Sequence, residues 1–331
     1  MKPELELDGD LRILARWYDL RANRIAVSPD SRFALFTQGL GRYVAQLLPL
    51  TGGPVRTPPF EIEAHSVSFA PDGVAAIGGW LAEKRPAIVF WDVDADDELS
   101  RHASSHVLRH VDARSFLSVR YAAGPPFIER WVRGAAHAEL TRELRMGREV
   151  QIDPDRYREE KWEIDQPEAP VFATPAGRVI TCLSELTGGG SAASLFEWNL
   201  EGGEPRRLRN IATAFGAGDS AHPIPGDRVL VNKTWGEWWI AVWDLAAERE
   251  VWRIEPGNTN AAFAVDASGS RAVIVKAQGR IEVLDTDDGK VLVGARILPH
   301  RFLGVSSLAF TPDGRLLMGL DDGILALIEI P

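Results

Sequence analysis

The sequence predicts an all-β protein made of seven repeats of one antiparallel unit, within a single domain over residues 1–331. Three observations lead to this prediction. A short strand followed by a Pro-Asp-Gly-like turn recurs at intervals of 42, 41, 63, 50, 42 and 45 residues. A second marker, a strand that ends in a bulky residue before a polar turn, recurs at the same period. No segment has the sustained apolar spacing of an amphipathic helix.

The C-terminal unit, Val305–Ile330, shows the repeat most clearly. It consists of a short apolar strand, a Pro-Asp-Gly turn, a second strand, an Asp-Asp-Gly turn and a third strand. Pro312 fixes φ at the turn corner, and Gly314 accepts the positive φ that such a turn requires. The dipeptide Asp322-Gly323 strongly favours a hairpin. Each piece of this unit therefore has the chemistry that its predicted position needs.

The same unit occurs upstream in six further copies. In chain order they contain the segments RIAVSPDSR, HSVSFAPDG, VLRHVDARSFLSV, PVFATPAGR, AHPIPGDR and FAVDASGSR. The anchors of the seven turns are Pro29, Pro71, Asp112, Pro175, Pro225, Ala267 and Pro312. The Asp112 copy keeps only the strand-turn-strand shape. The seven anchors predict seven units.

The bulky-residue marker supports the same period independently. Its members are Leu48, Trp91, Trp198, Trp243 and Leu284. Their spacings are 43, 107, 45 and 41 residues, and the spacing of 107 covers two units, with Trp131 inside it as the missing member. Because Trp91, Trp198 and Trp243 recur at the period of the repeat, we expect them to be buried between neighbouring units.

These repeats resemble the WD40 or a closely related (YVTN-type) β-propeller repeat, and the resemblance covers nearly the whole chain. The segments that carry it are His300 with Pro312-Asp313-Gly314, HSVSFAPDG with Trp91-Asp92, and the dipeptide Trp243-Asp244. The resemblance implies one seven-bladed propeller. Ile328-Glu329 replaces Trp-Asp in the last unit, and Leu320 occupies a position where many WD40 units have serine. We therefore expect the family's buried His–Ser–Asp–Trp network to be incomplete in most blades.

The last unit contains three strands, whereas a blade of the family has four. The segment Leu11–Trp17 precedes the first unit by about the spacing found between the others. WD40 proteins commonly complete their last blade with an N-terminal strand. The resemblance therefore implies that Leu11–Trp17 closes the ring and removes two exposed sheet edges.

The interval between the third and fourth blades is longer than the others because of a charged insertion at 145–168. Two interpretations remain open: a docking arm or lid, and a solvated loop or extended hairpin. Tyr157 and Trp162 within it favour a contact role. The Gly-rich segment Ser184–Ser194 lacks the following Lys-Ser/Thr of a phosphate-binding loop, so we expect a flexible hairpin tip there.

The net charge limits the kinds of partner that we expect, and the cysteine content bears on the cellular compartment. The chain has 37 Lys+Arg and 47 Asp+Glu, and its net charge of −10 argues against non-specific binding to nucleic acid or an anionic membrane. The single cysteine, Cys182, fits a reducing compartment. Neither a signal peptide nor a membrane-spanning apolar run is visible, so we expect a cytoplasmic protein. The Ala-, Gly- and Arg-rich composition is typical of a high-GC bacterium.

The sequence contains no constellation that indicates catalysis. His65, His106 and His300 precede first strands, where the resemblance implies a structural role for histidine. No Gly-x-Ser-x-Gly motif is present. Carboxylates such as Asp92 and Asp94 lie in turns. They indicate hairpins more strongly than they indicate a calcium site. The sequence therefore predicts no catalytic residue, no cofactor and no metal.

Three functions remain to be compared. The leading one is a non-catalytic protein-protein interaction platform or regulatory subunit, a monomeric propeller in a complex with another protein. The alternatives are a small-ligand sensor that binds in the central channel and a propeller-type hydrolase or lactonase. In the family, loops between second and third strands and loops between blades share one face. The residues expected to form a protein-binding surface there are Trp80, Arg85, Tyr121, Phe127, Lys233, Trp235, Trp238, Arg301 and Phe302.

Overall fold

A computed structural model describes the chain over these segments: residues 5–39, 43–82, 85–102, 108–110, 114–120, 127–133, 138–145, 171–173, 178–187, 190–199, 205–208, 220–233, 239–255, 262–298 and 304–331. Within these segments the regular structure consists of strands and short 3-10 turns, such as Ala277–Gly279, without any α-helix. The prediction of an all-β protein is therefore confirmed. None of the described segments contains a helix long and apolar enough to cross a membrane.

The described strands form seven antiparallel sheets. The chain begins with β1 (Glu6–Gly9) and β2 (Arg12–Trp17), which join the last two sheets. The first sheet contains β3 (Ala22–Val27), β4 (Phe33–Gln38) and β5 (Val44–Pro49). The second contains β6 (Glu63–Phe69), β7 (Ala75–Leu81), β8 (Arg85–Asp92) and β9 (Asp97–His102). The third contains β10 (Leu108–His110), β11 (Ser115–Arg120), β12 (Phe127–Arg133) and β13 (Ala138–Arg145).

The remaining four sheets follow the same meander. The fourth contains β14 (Val171–Ala173), β15 (Val179–Thr187), β16 (Gly190–Trp198) and β17 (Arg206–Arg207). The fifth contains β18 (Ser220–Ile224), β19 (Arg228–Lys233), β20 (Trp239–Asp244) and β21 (Arg249–Ile254). The sixth contains β22 (Phe263–Val265), β23 (Arg271–Lys276), β24 (Arg280–Asp285), β25 (Val291–Leu298) and, outermost, β1. The seventh contains β26 (Val305–Phe310), β27 (Leu316–Leu320), β28 (Leu325–Glu329) and, outermost, β2.

Six sheets have four strands or more and form complete blades, whereas the first has three described strands. The place of its fourth strand is taken by an isolated bridge, in which the backbone amides and carbonyls of Leu47 and Arg56 exchange hydrogen bonds of 2.8 Å. Pro54, Pro58 and Pro59 surround this bridge. Proline has no amide proton, so a longer fourth strand cannot form here. The prediction of seven complete blades is thus wrong at this position.

The sheets surround a common axis. Contacts join β3 to β6, β6 to β10, β14 to β18, β22 to β26 and β26 to β3, so the first strands of neighbouring sheets lie side by side. Contact of β11 with β14 links the third sheet to the fourth. The seventh sheet therefore contacts the first, and the arrangement is that of a β-propeller.

The hydrophobic core lies between adjacent sheets. Trp91 is fully buried and packs with Leu35 and Leu47 of the first sheet. Trp243 packs with residues of the fourth sheet, and Trp198 is also buried. The prediction that these recurring tryptophans are buried is confirmed. Another cluster joins the first sheet to the seventh, with members Ala22, Ala34, Phe36, Leu48, Leu50, Leu317, Leu325 and Leu327.

The meander gives the molecule two unlike faces. We call the upper face the one formed by the ends of second strands and the starts of third strands. Its described positions include Gln38, Val44, Leu81, Arg85, Lys276, Arg280, Leu320 and Leu325. The lower face is formed by the turns between first and second strands, such as Thr311–Arg315. There Gly314 has φ +84° and its amide donates to the Thr311 carbonyl at 2.9 Å, which explains the glycine.

The N-terminal strands pair with the far end of the chain. In β2, Arg12 lies opposite Glu329 and Trp17 opposite Leu325. The strand β1 was not predicted. It adds to β25 as a fifth strand, and Leu5 beside it is buried in the cluster between the sixth and seventh sheets. The insertion 145–168 lies, after Arg145, outside the described residues.

Candidate protein-binding surface

Four of the nine predicted binding positions lie on described strands, all on the upper face. Trp80 is near the end of β7 and Arg85 begins β8. Phe127 begins β12 and Lys233 ends β19, although the orientation of these two side chains is not described. The other five lie outside the described residues: Tyr121, Trp235, Trp238, Arg301 and Phe302.

A β-bulge brings a histidine next to Trp80. The pairing of β6 with β7 shifts between Ala64 and Ser66, so His65 is an extra residue without a partner position in the ladder. Such bulges redirect a side chain. The His65 ring makes edge contacts with the rings of Tyr43, at a centroid distance of 6.0 Å, and Trp80, at 6.4 Å. We call these three half-buried residues the aromatic cluster.

Backbone contacts hold the aromatic cluster in place. Trp80 lies opposite Glu63 in β6 and Pro86 in β8. A Cβ atom at Gly79 would lie 1.9 Å from the Glu63 carbonyl oxygen, so only glycine allows this approach of the two strands. The Ala64 amide donates to the Tyr43 carbonyl at 2.9 Å and thereby connects the first sheet to the second.

The upper face combines this cluster with charged groups. Arg85 is exposed, and the His65 Nε2 atom lies 3.7 Å from Glu63 Oε1. Further along the face, buried Glu282 forms ion pairs with Lys276 at 2.5 Å and with Arg280 at 2.9 Å. Half-exposed Trp and Tyr beside Arg are the residue types that dominate binding energy in protein interfaces. Chemically, the arrangement suits recognition of a protein surface.

On the lower face, arginines instead pair with acids of the neighbouring sheet. Arg32 donates to Asp94 at 2.7 and 3.1 Å, between the first and second sheets. Arg228 donates to Asp287 at 2.5 Å, between the fifth and sixth. Further crossings are those of Arg133 with Asp72, Arg178 with Asp227 and Arg206 with Glu248. Many charged side chains of this face therefore form ion pairs within the chain.

Two pKa shifts reflect these arginines. Partial burial alone raises the pKa of Asp30, but hydrogen bonds from Arg32 and Ser28 outweigh it and lower the pKa to about 2. Hydrogen bonds from Arg178 lower the pKa of Glu197 below its ordinary value, against the opposing effect of burial, and Arg206 adds to them. Both carboxylates are thus held in the ionised form.

Sequence reasoning identified Trp80 and Arg85 but missed Tyr43 and the contact role of His65. His65 was interpreted as a structural histidine because it precedes a first strand. A signal was present in Gly78-Gly79-Trp80, since paired glycines in a strand often mark a bulge or a close backbone approach.

Two core tryptophans lack the hydrogen bond that the family's buried polar network would supply. Among the described residues, the indole N–H groups of Trp91 and Trp243 are buried and have no acceptor. The described segments also contain no group of three or more His, Cys, Asp or Glu residues that could hold a metal ion.

No family model and no curated protein matches the chain. Solved structures do. A chain in the crystal structure of the mitotic checkpoint complex has a TM-score of 0.66 at 14% identity, over 97% of this chain and 93% of that one. The C-terminal WD40 domain of Sif2 has a TM-score of 0.61 at 11% identity, over 97% of this chain and 98% of that one. The fold of this chain is therefore that of a WD40-like β-propeller.

Proposed function

We propose that the chain is a non-catalytic protein-interaction platform, acting as a subunit of a larger complex, and that its partner docks on the upper face. The observation that carries this proposal is the aromatic cluster of Tyr43, His65 and Trp80 beside exposed Arg85. Half-buried aromatic rings lose little conformational entropy on binding and contribute much contact area. On the lower face, arginines pair with acidic residues of the neighbouring sheet within the chain.

The proposal includes a seven-bladed ring closed by β2. Six complete sheets, the shortened first sheet and the pairing of β2 with β28 support it. A rigid ring suits a platform because its loops can vary without disturbing the blades. One similar chain comes from the structure of a multi-component assembly, which agrees with this role.

We further propose a protein partner, rather than nucleic acid or a membrane, and a location in the cytoplasm of a bacterium. The net charge of −10 supports the first point, because nucleic acids and anionic lipids repel such a surface. The amino-acid composition alone supports a location in the cytoplasm of a bacterium.

The test is cross-linking mass spectrometry on the tagged full chain purified from its native host. We expect cross-links from partner proteins to concentrate on the upper face, and Trp80→Ala with Arg85→Ala to reduce partner recovery. The control is Leu99→Ala, at an exposed position on the outer strand β9. Cross-links confined to the lower face would contradict the proposal. Stabilisation by a metabolite or metal in a thermal-shift screen would favour the sensor or hydrolase alternatives.

A further inference from the structure

The outer part of the sixth sheet contains a cavity of about 580 Å³. Its lining comes from β25, from the residues around β1 and from the turn before β24, and consists of Asp8, Asp10, Gln278, Arg280 and residues 291–296. Small-molecule sites commonly have volumes of about 300–1,000 Å³. We call this cavity the rim pocket. It lies on the two outermost strands of the sheet, away from the aromatic cluster.

Two arginines occupy one end of the rim pocket. Arg280 and Arg296 lie opposite each other in β24 and β25, and like charges in such positions destabilise a strand pair. The Nε atom of Arg280 lies 2.9 Å from Glu282 Oε1, and Arg296 donates to the amide oxygen of Gln278 at 3.2 Å. The terminal amino groups of Arg280 have no acceptor among the described residues. A carboxylate between the two guanidinium groups would accept hydrogen bonds from both and remove the repulsion.

An acidic group lies at the side of the pocket. The Asp10 amide donates to the Gly294 carbonyl at 3.0 Å, and the Gly294 amide donates to Asp10 Oδ2 at 3.4 Å. Asp8 lies opposite Arg296. Within the described segments, neither Asp8 nor Asp10 forms an ion pair with an arginine or lysine. The Asp10 carboxylate is therefore placed to accept a hydrogen bond from an ammonium group.

The charges of the lining balance, and its other end is apolar. Two carboxylates and two guanidinium groups line the pocket, so it favours a ligand whose own charges also cancel. Val291 and Leu292 are 49% and 50% exposed. Gly294 lies midway between Leu292 and Arg296 along β25, roughly 7 Å from each. Because Gly294 has no side chain, backbone atoms form the floor between the charged and the apolar ends.

We propose that the rim pocket binds a free α-amino acid with an apolar side chain. The ligand's carboxylate lies between the two arginines, its ammonium group beside Asp10, and its side chain on Val291 and Leu292. The α-carbon then lies over Gly294. The inference goes beyond protein docking, because the ligand is a small molecule and its site does not include the aromatic cluster. The site also differs from the central channel of the sensor alternative, since β1 and β25 are the outermost strands of their sheet.

Isothermal titration calorimetry on the full chain, with four probes, tests each contact of the ligand. L-Leucine should bind one site per chain. L-Leucinamide lacks the carboxylate, 4-methylpentanoate lacks the ammonium group and glycine lacks the apolar side chain. Each of these three should therefore bind at least about tenfold more weakly than L-leucine.

Variants assign the binding to the rim pocket. Arg296→Gln should weaken L-leucine at least about tenfold. Asp10→Asn should weaken L-leucine but strengthen 4-methylpentanoate, because it removes a carboxylate that repels this anion. Lys290→Gln is the matched control, because it removes an exposed cation of the same sheet outside the pocket, and it should bind L-leucine like the wild type. Trp80→Ala should also bind normally, which keeps the result independent of the proposed docking surface.

Three outcomes overturn the proposal. The first is a wild type that does not bind L-leucine with a Kd below about 10 mM. The second is equal binding by Arg296→Gln and Lys290→Gln, which would place the ligand elsewhere. The third is a change of both affinities in the same direction on Asp10→Asn. Arg296→Lys, which loses the forked geometry of the guanidinium group, replaces Arg296→Gln if the latter does not match the wild type in circular dichroism and melting temperature.

Discussion

Arg12, near the start of the chain, and Glu329, near its end, lie opposite each other in β2 and β28 and form an ion pair of 2.8 Å. The pair itself is exposed and contributes little, but the strand that carries Arg12 also buries apolar surface. Ile13 packs against the core between the sixth and seventh sheets, and Trp17 against the core between the seventh and the first. The N-terminal strand therefore connects three sheets.

Deleting residues 1–17 should lower the free energy of unfolding by several kcal/mol, because β28 loses its outer partner and two apolar contacts. Urea unfolding of the truncated and full chains measures this. The control is Arg12→Ala, which should cost less than about 1 kcal/mol because the side chain is exposed. Equal stability of the truncated and full chains would show that β2 does not close the ring.

Gly79→Ala should destabilise the protein by about 1–3 kcal/mol, since the new methyl group meets the Glu63 carbonyl and the strands must separate. The same change should displace Trp80 from His65. Thermal unfolding gives the first effect, and the near-ultraviolet circular dichroism of the aromatic side chains gives the second. A variant that matches the wild type in both would refute the close approach of β6 and β7.

Trp91→Ala should cost about 3–5 kcal/mol, because it leaves a large cavity between the first and second sheets. Trp91→Phe should cost much less, since the buried indole N–H has no acceptor among the described residues and its loss removes an unsatisfied donor. Chemical denaturation of both variants tests the pair of values. Equal costs would indicate that the N–H group is hydrogen-bonded.

The lowered pKa of Asp30 predicts a pH-dependent contribution to stability. Above the ordinary carboxyl pKa of 3.8 the contribution is fully present, and it is lost as the pH falls through the folded-state pKa of about 2. Asp30→Asn should therefore be less stable than the wild type at about pH 5, and the difference should shrink by about pH 2.5. The effect should stay below about 1 kcal/mol, because Asp30 and Arg32 are half-exposed. Urea midpoints at the two pH values measure it, and a pH-independent difference would refute the cause given.

The regular part of this fold could be predicted because the turn residues and bulky residues recur with the sheets. Trp91 and Trp243 were recognised as core residues for that reason. The added strand β1 was missed because its pairing with β25 joins opposite ends of the chain and follows no repeat. The shortened first sheet depends on prolines that interrupt one copy of the repeat.

The candidate binding surface was only partly predictable from the sequence. Trp80 was identified because the spacing of the repeat places it beside a loop between a second and a third strand. Tyr43 and His65 join it through a bulge in β6 and a contact between two sheets. Neither of these features can be read from spacing, because both depend on the register of strand pairing.

Docking on the upper face is tested most directly by the affinity of the purified native partner for Trp80→Ala, measured by surface plasmon resonance beside the wild type and Leu99→Ala. If the upper face is the docking surface, Trp80→Ala should weaken binding by at least about tenfold, mainly through faster dissociation, while Leu99→Ala binds like the wild type. If folded Trp80→Ala and Arg85→Ala variants both bind the partner as tightly as the wild type does, docking on the upper face is contradicted.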